Sequence, residues 1–493
     1  MKNIDELAVF CKRKGFVYPT AEIYGGLAGF YDFGPYGVEL KNSIKAEWWR
    51  THVLQRADIT GMDGSIITNP QVWEASGHIS SFTDLLLDCK KCGNRLRADQ
   101  FIEEKLGIKA EGQPVQGIKQ IISEKRLKCP KCGSGFSEPK SFNLMFTTMV
   151  GPVGENSSIA YLRPETAQLM FACFKLVSEN ARLKLPFGIA QTGKAFRNEI
   201  SPRDFLFRVR EFEQMEIEYF IKPGQDCPFL GEVMNHTLNV LSREMQKKKQ
   251  EPKKIKIKDL IAKEIMLSWH AYWLAFEQKW FTGLGAKKEN FRVRQHLSEE
   301  KSHYASDTWD LEYNFPFGWK EILGVANRAD FDLKQHMKNS GQDLAWFDQE
   351  TGKKIIPHVI AEPSLGVERA FLVFMLEAYE YNKERDNIVL KLHPKLAPIK
   401  AAVFPLVSNK PELVNLAKKV YDDLKNEFSC FYDSAGSIGR RYARQDELGT
   451  PFCITIDFDS IKSNDATIRS RDSTKQERIK LSGLKQKIKE MIQ

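Results

Sequence analysis

The sequence predicts an α+β fold: an antiparallel sheet flanked by helices and interrupted by insertions, then a smaller α/β unit. Three observations carry this. Strand-like stretches rich in aromatic and β-branched residues surround a turn signal at Ser201-Pro202-Arg203-Asp204 and return in "DTWDLEYNFPFGWKEILGVANRADFDL". The apolar run "AFLVFMLEAYEY" from Ala370 is broken by Glu377 and Glu380. It reads as a buried helix, far short of the ~18 residues a membrane span needs. Past "KLHPKLAPIK" the texture changes to strand, helix, strand, helix, the pattern of a separate α/β domain.

In chain order, residues 1–88 supply the first part of the core, where "GGLAGFYDFGPYGVELKNSIKAEWWR" runs from a glycine-rich turn into an amphipathic helix. Residues 89–140 read as an insertion, 141–226 as core again, and 227–302 as a second, charged and mostly helical insertion. Residues 303–390 complete the core, and 391–493 form the α/β tail. Hydrophobic residues make up 42% and charged residues 28%, the composition of an ordinary globular chain. The amino terminus has acids in place of a basic leader and no long apolar stretch, so the cytoplasm is expected and a membrane partner is not. The net charge is +9, and nine Lys/Arg against three Asp/Glu lie between Arg243 and Lys263. Such a run is usually a solvated face, although phosphate-rich partners also suit it.

Nine cysteines in such a chain do not argue for disulfides. "CKKC" at Cys89 and Cys92 and "CPKC" at Cys129 and Cys132 are each followed by glycine. Four thiolates so paired suit a closed, tetrahedral structural zinc site. Cys11, Cys173, Cys227, Cys430 and Cys453 lack such spacing and read as small buried hydrophobes.

"GKAFRNEISPRDFLFRVREFEQMEIEYF", from Gly193 to Phe220, carries the chemistry. Strand alternation puts Arg208, Arg210, Phe212, Gln214, Glu216 and Glu218 on one face, with Arg197 and Glu199 paired across the turn. Arginines suit phosphates, an aromatic ring suits a base, and carboxylates suit an ammonium group. Phosphate, base and amine along one sheet fit amino-acid adenylation, while a surface ion-pair ladder is the competing reading. The chain has no GxxxxGK[ST] loop and no GxGxxG fingerprint for holding the nucleotide.

These residues also carry a family resemblance. "FRNE" with "RVREF" is similar to motif 2 of the class II aminoacyl-tRNA synthetases. "GVER" at 366–369 resembles their motif 3, and "YDFGPYGVELKNSIKAEWWR" with Asn69-Pro70 resembles their dimer-forming motif 1. "RPETAQ", "EFEQMEIEYF", "FPFGWKEI", "EPSLG", "LAPIKAAVFPL" and "RRYARQDELGTPFCITIDFD" resemble the homodimeric glycyl-tRNA synthetase family from about Phe16 to Ile479.

The resemblance implies a class II catalytic core followed by an anticodon-binding domain. It implies adenylation of glycine by ATP with magnesium and transfer of glycine to tRNA(Gly). Arg197, Arg369 and Glu321 are the implied catalytic groups, on the α-phosphate, over the adenine and on magnesium. Asn198, Glu199, Phe207, Arg208, Arg210, Phe212, Ile322 and Gly366 complete the implied ATP site. Glycine is expected among Arg97, Glu165, Phe212, Gln214, Glu216, Arg328, Glu362, Ser364 and Gly366. Two positions depart from the family pattern: Leu169 follows "RPETAQ" where glycine is usual, and Ala329 replaces a hydroxyl residue. The alternatives are another class II synthetase, or a synthetase-derived nucleic-acid-binding subunit without activity.

Overall fold

The computed structural model describes residues 3–492 apart from 109, 111, 152–158, 299 and 301–304. Nine strands form the main sheet: β1 (Ile59–Gly61), β2 (Phe187–Phe196), β3 (Glu211–Ile221), β4 (Thr237–Leu241), β5 (Lys253–Lys256), β6 (Phe291–Gln295), β7 (Asp307–Phe315), β8 (Gly318–Asn327) and β9 (His358–Gly366). Their spatial order is β5-β4-β6-β7-β8-β9-β3-β2-β1. All neighbours are antiparallel except β1 with β2 and β4 with β6.

Three helices cover one face: α1 (Pro35–Trp49), α2 (Ser268–Gly283) and α3 (Val367–Ala378). Pro35 stands at the start of α1, where its missing N–H costs nothing. Gly37, two residues on, is pressed so closely to the Phe16 carbonyl that a Cβ there would lie 1.8 Å from the oxygen. Alternation along β3 then sorts the side chains. Met215, Ile217, Tyr219 and Ile221 enter the core under these helices, and Phe220 joins a second core with Phe171, Phe174 and Phe187 on the opposite face. Phe212, Gln214 and Glu216 share the Phe220 face and line an open cleft.

One cation ties the helices to the strands. Nζ of Lys41 on α1 is 2.8 Å from carboxylates of Glu213 on β3 and Glu368 on α3. The Glu213 backbone N–H also donates to Glu368, at 2.9 Å.

Residues 227–302 differ from a purely inserted segment. Besides α2, they supply β4, β5 and β6, which extend the main sheet. The short apolar alternations Leu238/Val240 and Phe291/Val293 are buried and drive this, while the flanking lysines mask it in composition. The boundary expected at 302/303 lies outside the described residues. The first insertion hangs from a three-stranded sheet of Thr83–Asp88, Arg95–Arg97 and Lys140–Asn143, with its own core of Leu87, Phe101, Ile102 and Ile118.

The tail is a five-stranded sheet in the order Cys430–Tyr432, Ala401–Pro405, Phe452–Ile456, Asp465–Ser470 and Gln476–Lys480. The first three are parallel and the last two join antiparallel. It has a separate core that includes Val403, Leu413, Val420 and Ile454. Of the unpaired cysteines, Cys11, Cys227 and Cys453 are buried, and Cys173 and Cys430 are partly so.

Candidate active site

A cleft of about 960 Å³ runs along the open face of β3, β9, β8 and β7. Its two ends differ in chemistry. At one end Arg197 and Arg369 project toward aromatic rings. The Arg197 guanidinium stands 5.3 Å from Phe212 and 5.4 Å from Phe82, and its Nε donates to the Pro164 carbonyl at 3.0 Å. Arg369, two residues into α3, lies 4.6 Å from Phe207. It donates to the Glu321 carbonyl at 3.0 Å and pairs with the Glu321 carboxylate at 3.3 Å. Arg208 donates to Glu199 at 2.7 Å.

Arg208 and Arg210 do not stand on the strand. β3 begins at Glu211, after a 3₁₀ turn at Phe205–Phe207. Arg208 still reaches the cleft, but Arg210 donates to the carbonyls of Ala28 and Glu199 and is not among the lining residues, nor is Asn198. Ile322 and Gly366 do line it.

Beside Glu321 lies Asp310, which the sequence reading did not single out. A Cβ on Gly324 would sit 3.7 Å from Glu321 Oε1 and 3.8 Å from Asp310 Oδ1, so the two carboxylates flank that glycine. Carboxylate oxygens are the donors magnesium takes, and of the two only Glu321 is open, since Asp310 is buried and held by His296 at 2.8 Å and Arg294 at 3.0 Å. Burial works against the charge on Glu321, but Arg369, His296 and Arg197 outweigh it and hold the carboxyl below its usual range.

The other end is lined by buried carboxylates. Glu165, Glu216 and Glu362 are buried, together with Arg328 and Asp332. Arg328 donates to Asp332 at 2.7 Å through two nitrogens and to both Glu362 oxygens at 3.0 and 3.1 Å. It lies behind the lining, not in it. Glu165 accepts from Gln168 at 3.0 Å and lies 3.2 Å from His78 Nε2. Glu216 accepts from the Thr166 hydroxyl, and Gln214 donates to Ser364 at 3.1 Å. Burial raises Glu216, with Glu165 adding to it. Burial pushes Glu362 up to about 8 although Arg328 pulls the other way. Glu165 goes down: burial opposes its charge, but His78 and Arg328 prevail. His78, Thr166 and Asp332 were not read as site residues. His78 and Asp332 come from distant segments that carry no mark of a site, whereas Thr166 lies inside "RPETAQ", next to Glu165.

Arg97 enters the cleft from the first insertion, held by Asp84 at 3.0 Å and Asp99 at 2.8 Å. Burial lifts Asp84 to about 6 against the pull of Arg97. The helix Ala98–Leu106 that follows forms one cleft wall through Gln100 and Glu103, and Glu104 pairs with Arg203 of the turn before β3. Leu169 packs on Gly64, where a Cβ would lie 2.8 Å from its Cδ1. The Arg163 Nη1 donates to the Gly64 carbonyl at 2.6 Å.

In the insertion the four cysteine sulfurs converge. Cys89 and Cys132 Sγ are 3.4 Å apart, and Cys92 and Cys129 Sγ are 3.7 Å apart. A zinc–sulfur bond of ~2.3 Å sets tetrahedral edges near 3.8 Å, so the cluster fits that ion. Gly93 (φ +64°) and Gly133 (φ +71°) turn the two knuckles in a conformation that glycine adopts without strain.

The tRNA synthetase class II core domain (G, H, P, S and T) matches residues 149–379, and the anticodon binding domain matches 400–491. The glycine–tRNA ligase of Caldanaerobacter subterraneus subsp. tengcongensis is 45% identical over 99% of this chain and 98% of its own length. That of Alkaliphilus oremlandii is 46% identical over 98% and 97%, and that of Geobacillus kaustophilus 45% identical over 99% of both. The chain belongs to the glycine–tRNA ligase family. It is therefore an enzyme of the class II aminoacyl-tRNA synthetases, with the catalytic core preceding the anticodon-binding fold. The open antiparallel sheet is the catalytic unit of that class, and the cleft lies on it. No described helix is long and apolar enough to cross a membrane.

Proposed function

We propose that the cleft activates glycine with ATP and passes it to the 3′ end of tRNA(Gly), in the cytoplasm and as a homodimer. The observation that carries this reading is the opposition of ends: arginines and rings at one, three buried carboxylates at the other, about 960 Å³ of space between them. The sequence of groups matches triphosphate, base, and amino acid.

Arg197 holds the α-phosphate, Arg208 reaches the outer phosphates after releasing Glu199, and Phe212, Phe207 and Arg369 take the adenine. Glu199 then accepts from the adenine amino group. Magnesium, when bound, neutralises phosphate charge at Glu321. Glu165, Glu216 and Ser364 receive the ammonium, with Arg97, Gln214, Arg328 and Glu362 around them. Glycine's carboxylate is already ionised at neutral pH, so attack on the α-phosphate needs positioning and charge stabilisation, not a general base. Alanine is rejected by overlap in a pocket sized for no side chain, the easier direction of discrimination.

Residues 1–88, 141–226 and 303–390, together with β4, β5 and β6 from 227–302, form the activating unit, and 391–493 reads the tRNA anticodon. Zinc in Cys89, Cys92, Cys129 and Cys132 is structural. The exposed Ile23, Tyr24 and Leu27, in the glycine-rich turn before α1, support a dimer contact there. The basic run Arg243–Lys263 adds a salt-sensitive contribution to tRNA binding.

ATP–pyrophosphate exchange measured with each amino acid tests the reading. Glycine alone should support it, and exchange with serine, threonine, proline or histidine in its place would overturn it. Removing 391–493 should spare exchange and abolish efficient charging. Undiminished charging would return that domain to another role.

A further inference from the structure

Glu218 is used by none of the roles above, yet it lies under the amine pocket. It is fully buried, and neither carboxylate oxygen has a hydrogen-bond partner. It stands two residues beyond Glu216 on the same face of β3. The register that pairs Glu216 with Ser364 and Tyr219 with Ala361 sets Glu218 across from Glu362 on β9. One carboxylate oxygen from each of Glu216, Glu218 and Glu362 lies within 4.8 Å of the other two.

The charges facing this cluster do not balance. Glu216 and Glu362 are its nearest acids. Asp332 lies behind Arg328, and Glu165 stands on the far side of Glu216 beside His78. Arg328 is the cation shared by Glu362 and Asp332, Arg163 approaches Glu216, and His336 packs near Asp332. On β2 the residue opposite Glu218 is the apolar Ile189. An ionised carboxylate left so, buried beside two others, is far more costly than a protonated one. Burial and the neighbouring Glu362 both push Glu218 well above the ordinary carboxylate range.

We propose that Glu218 is a further carboxyl of the glycine site, sharing one proton with Glu362 that the incoming ammonium displaces to solvent. The exchange replaces one positive charge by another, so the buried cluster keeps its net charge when the amino acid binds. A ligand that carries a hydroxyl in place of the ammonium cannot drive the exchange. The proposal rests on the glycine reading of the cleft, and Glu218, which lies behind the lining, acts on the ammonium through Glu362.

Glycine KM in ATP–pyrophosphate exchange, measured with the full chain from about pH 6 to about pH 9, tests it together with calorimetry of glycine binding in two buffers of different ionisation enthalpy. In the wild type, KM should fall by up to about tenfold per pH unit on the acid side, and calorimetry should report proton release. Glu218→Gln should lose both the slope and the release while keeping ATP KM. Glu218→Asp, which keeps a carboxyl, should restore them with a shifted midpoint. The idea is overturned by a wild-type profile without slope or release, by Glu218→Gln retaining both, or by Glu218→Asp losing both as Glu218→Gln does. If Glu218→Gln does not fold, the wild-type release and the Glu218→Asp midpoint decide. Absence of glycine-dependent exchange in the wild type would instead refute the glycine reading itself.

Discussion

At the arginine end of the cleft, the side chains of Arg208 and Arg369 are 22% and 28% exposed and rest on Glu199 and Glu321. At the amine end, Arg328 is 1% exposed and fixed by Glu362 and Asp332. Partly exposed ion pairs are worth little, so Arg208 and Arg369 can leave their carboxylates for phosphate at small cost. A buried network cannot rearrange cheaply, because any partner left alone stays desolvated. One end is therefore built to move onto a large ligand. The other is built to stay, which is what discrimination between near-identical small molecules needs.

Breaking the rigid end should do the most harm. Arg328→Met strands Glu362 and Asp332 and should cost about 3–5 kcal/mol of stability; urea unfolding reads this, and a loss under about 1 kcal/mol would show that the network is not under such tension. Breaking the mobile end should harm rate without fold. Arg197→Ala or Arg369→Ala should lower exchange about 10²–10³-fold with the unfolding midpoint almost unchanged. Near-normal exchange would remove them from the chemistry.

The insertion wall sharpens the comparison, since it touches both the turn before β3 and Arg97. Cys129→Ser should deplete the metal and loosen residues 89–140 while lowering exchange by less than about tenfold, because a closed site contributes folding energy, not chemistry. Metal analysis with hydrogen exchange across the insertion checks this. The smallest effect belongs to Ala329, which sits at φ +49° just after Arg328. Ala329→Gly should stabilise the chain by up to about 1 kcal/mol. A loss would show that its Cβ packs productively.

Legibility in the sequence followed locality. The two-face division of β3 could be read because residues 212–220 obey a period of two, and the tail domain because its strands and helices alternate within short stretches. Arg208 and Arg210 could not be placed, since the turn at Phe205–Phe207 breaks the period before the strand begins. His78, Asp310 and Asp332 carry no local signal, and Thr166 stands inside "RPETAQ" without being singled out. Their roles exist only after β7, β9, the 163–172 segment and the 331–340 helix meet. The strands β4, β5 and β6 were hidden by the lysines around them, because composition averages over the few apolar residues that pair.

Lys41 has a consequence for how the chain is made. Its partner Glu368 lies 327 residues downstream. At roughly 5–20 residues per second of synthesis, α1 waits about 16–65 s before the second of its two carboxylate partners exists, Glu213 having come first. During that wait Lys41 has Glu213 alone to pair with, and the chain must not commit α1 elsewhere. Closing so long a loop also carries an entropic cost of about 5 kcal/mol. The cleft is thus among the last features of the molecule to form, and an incomplete chain released before Glu368 has no means of assembling it.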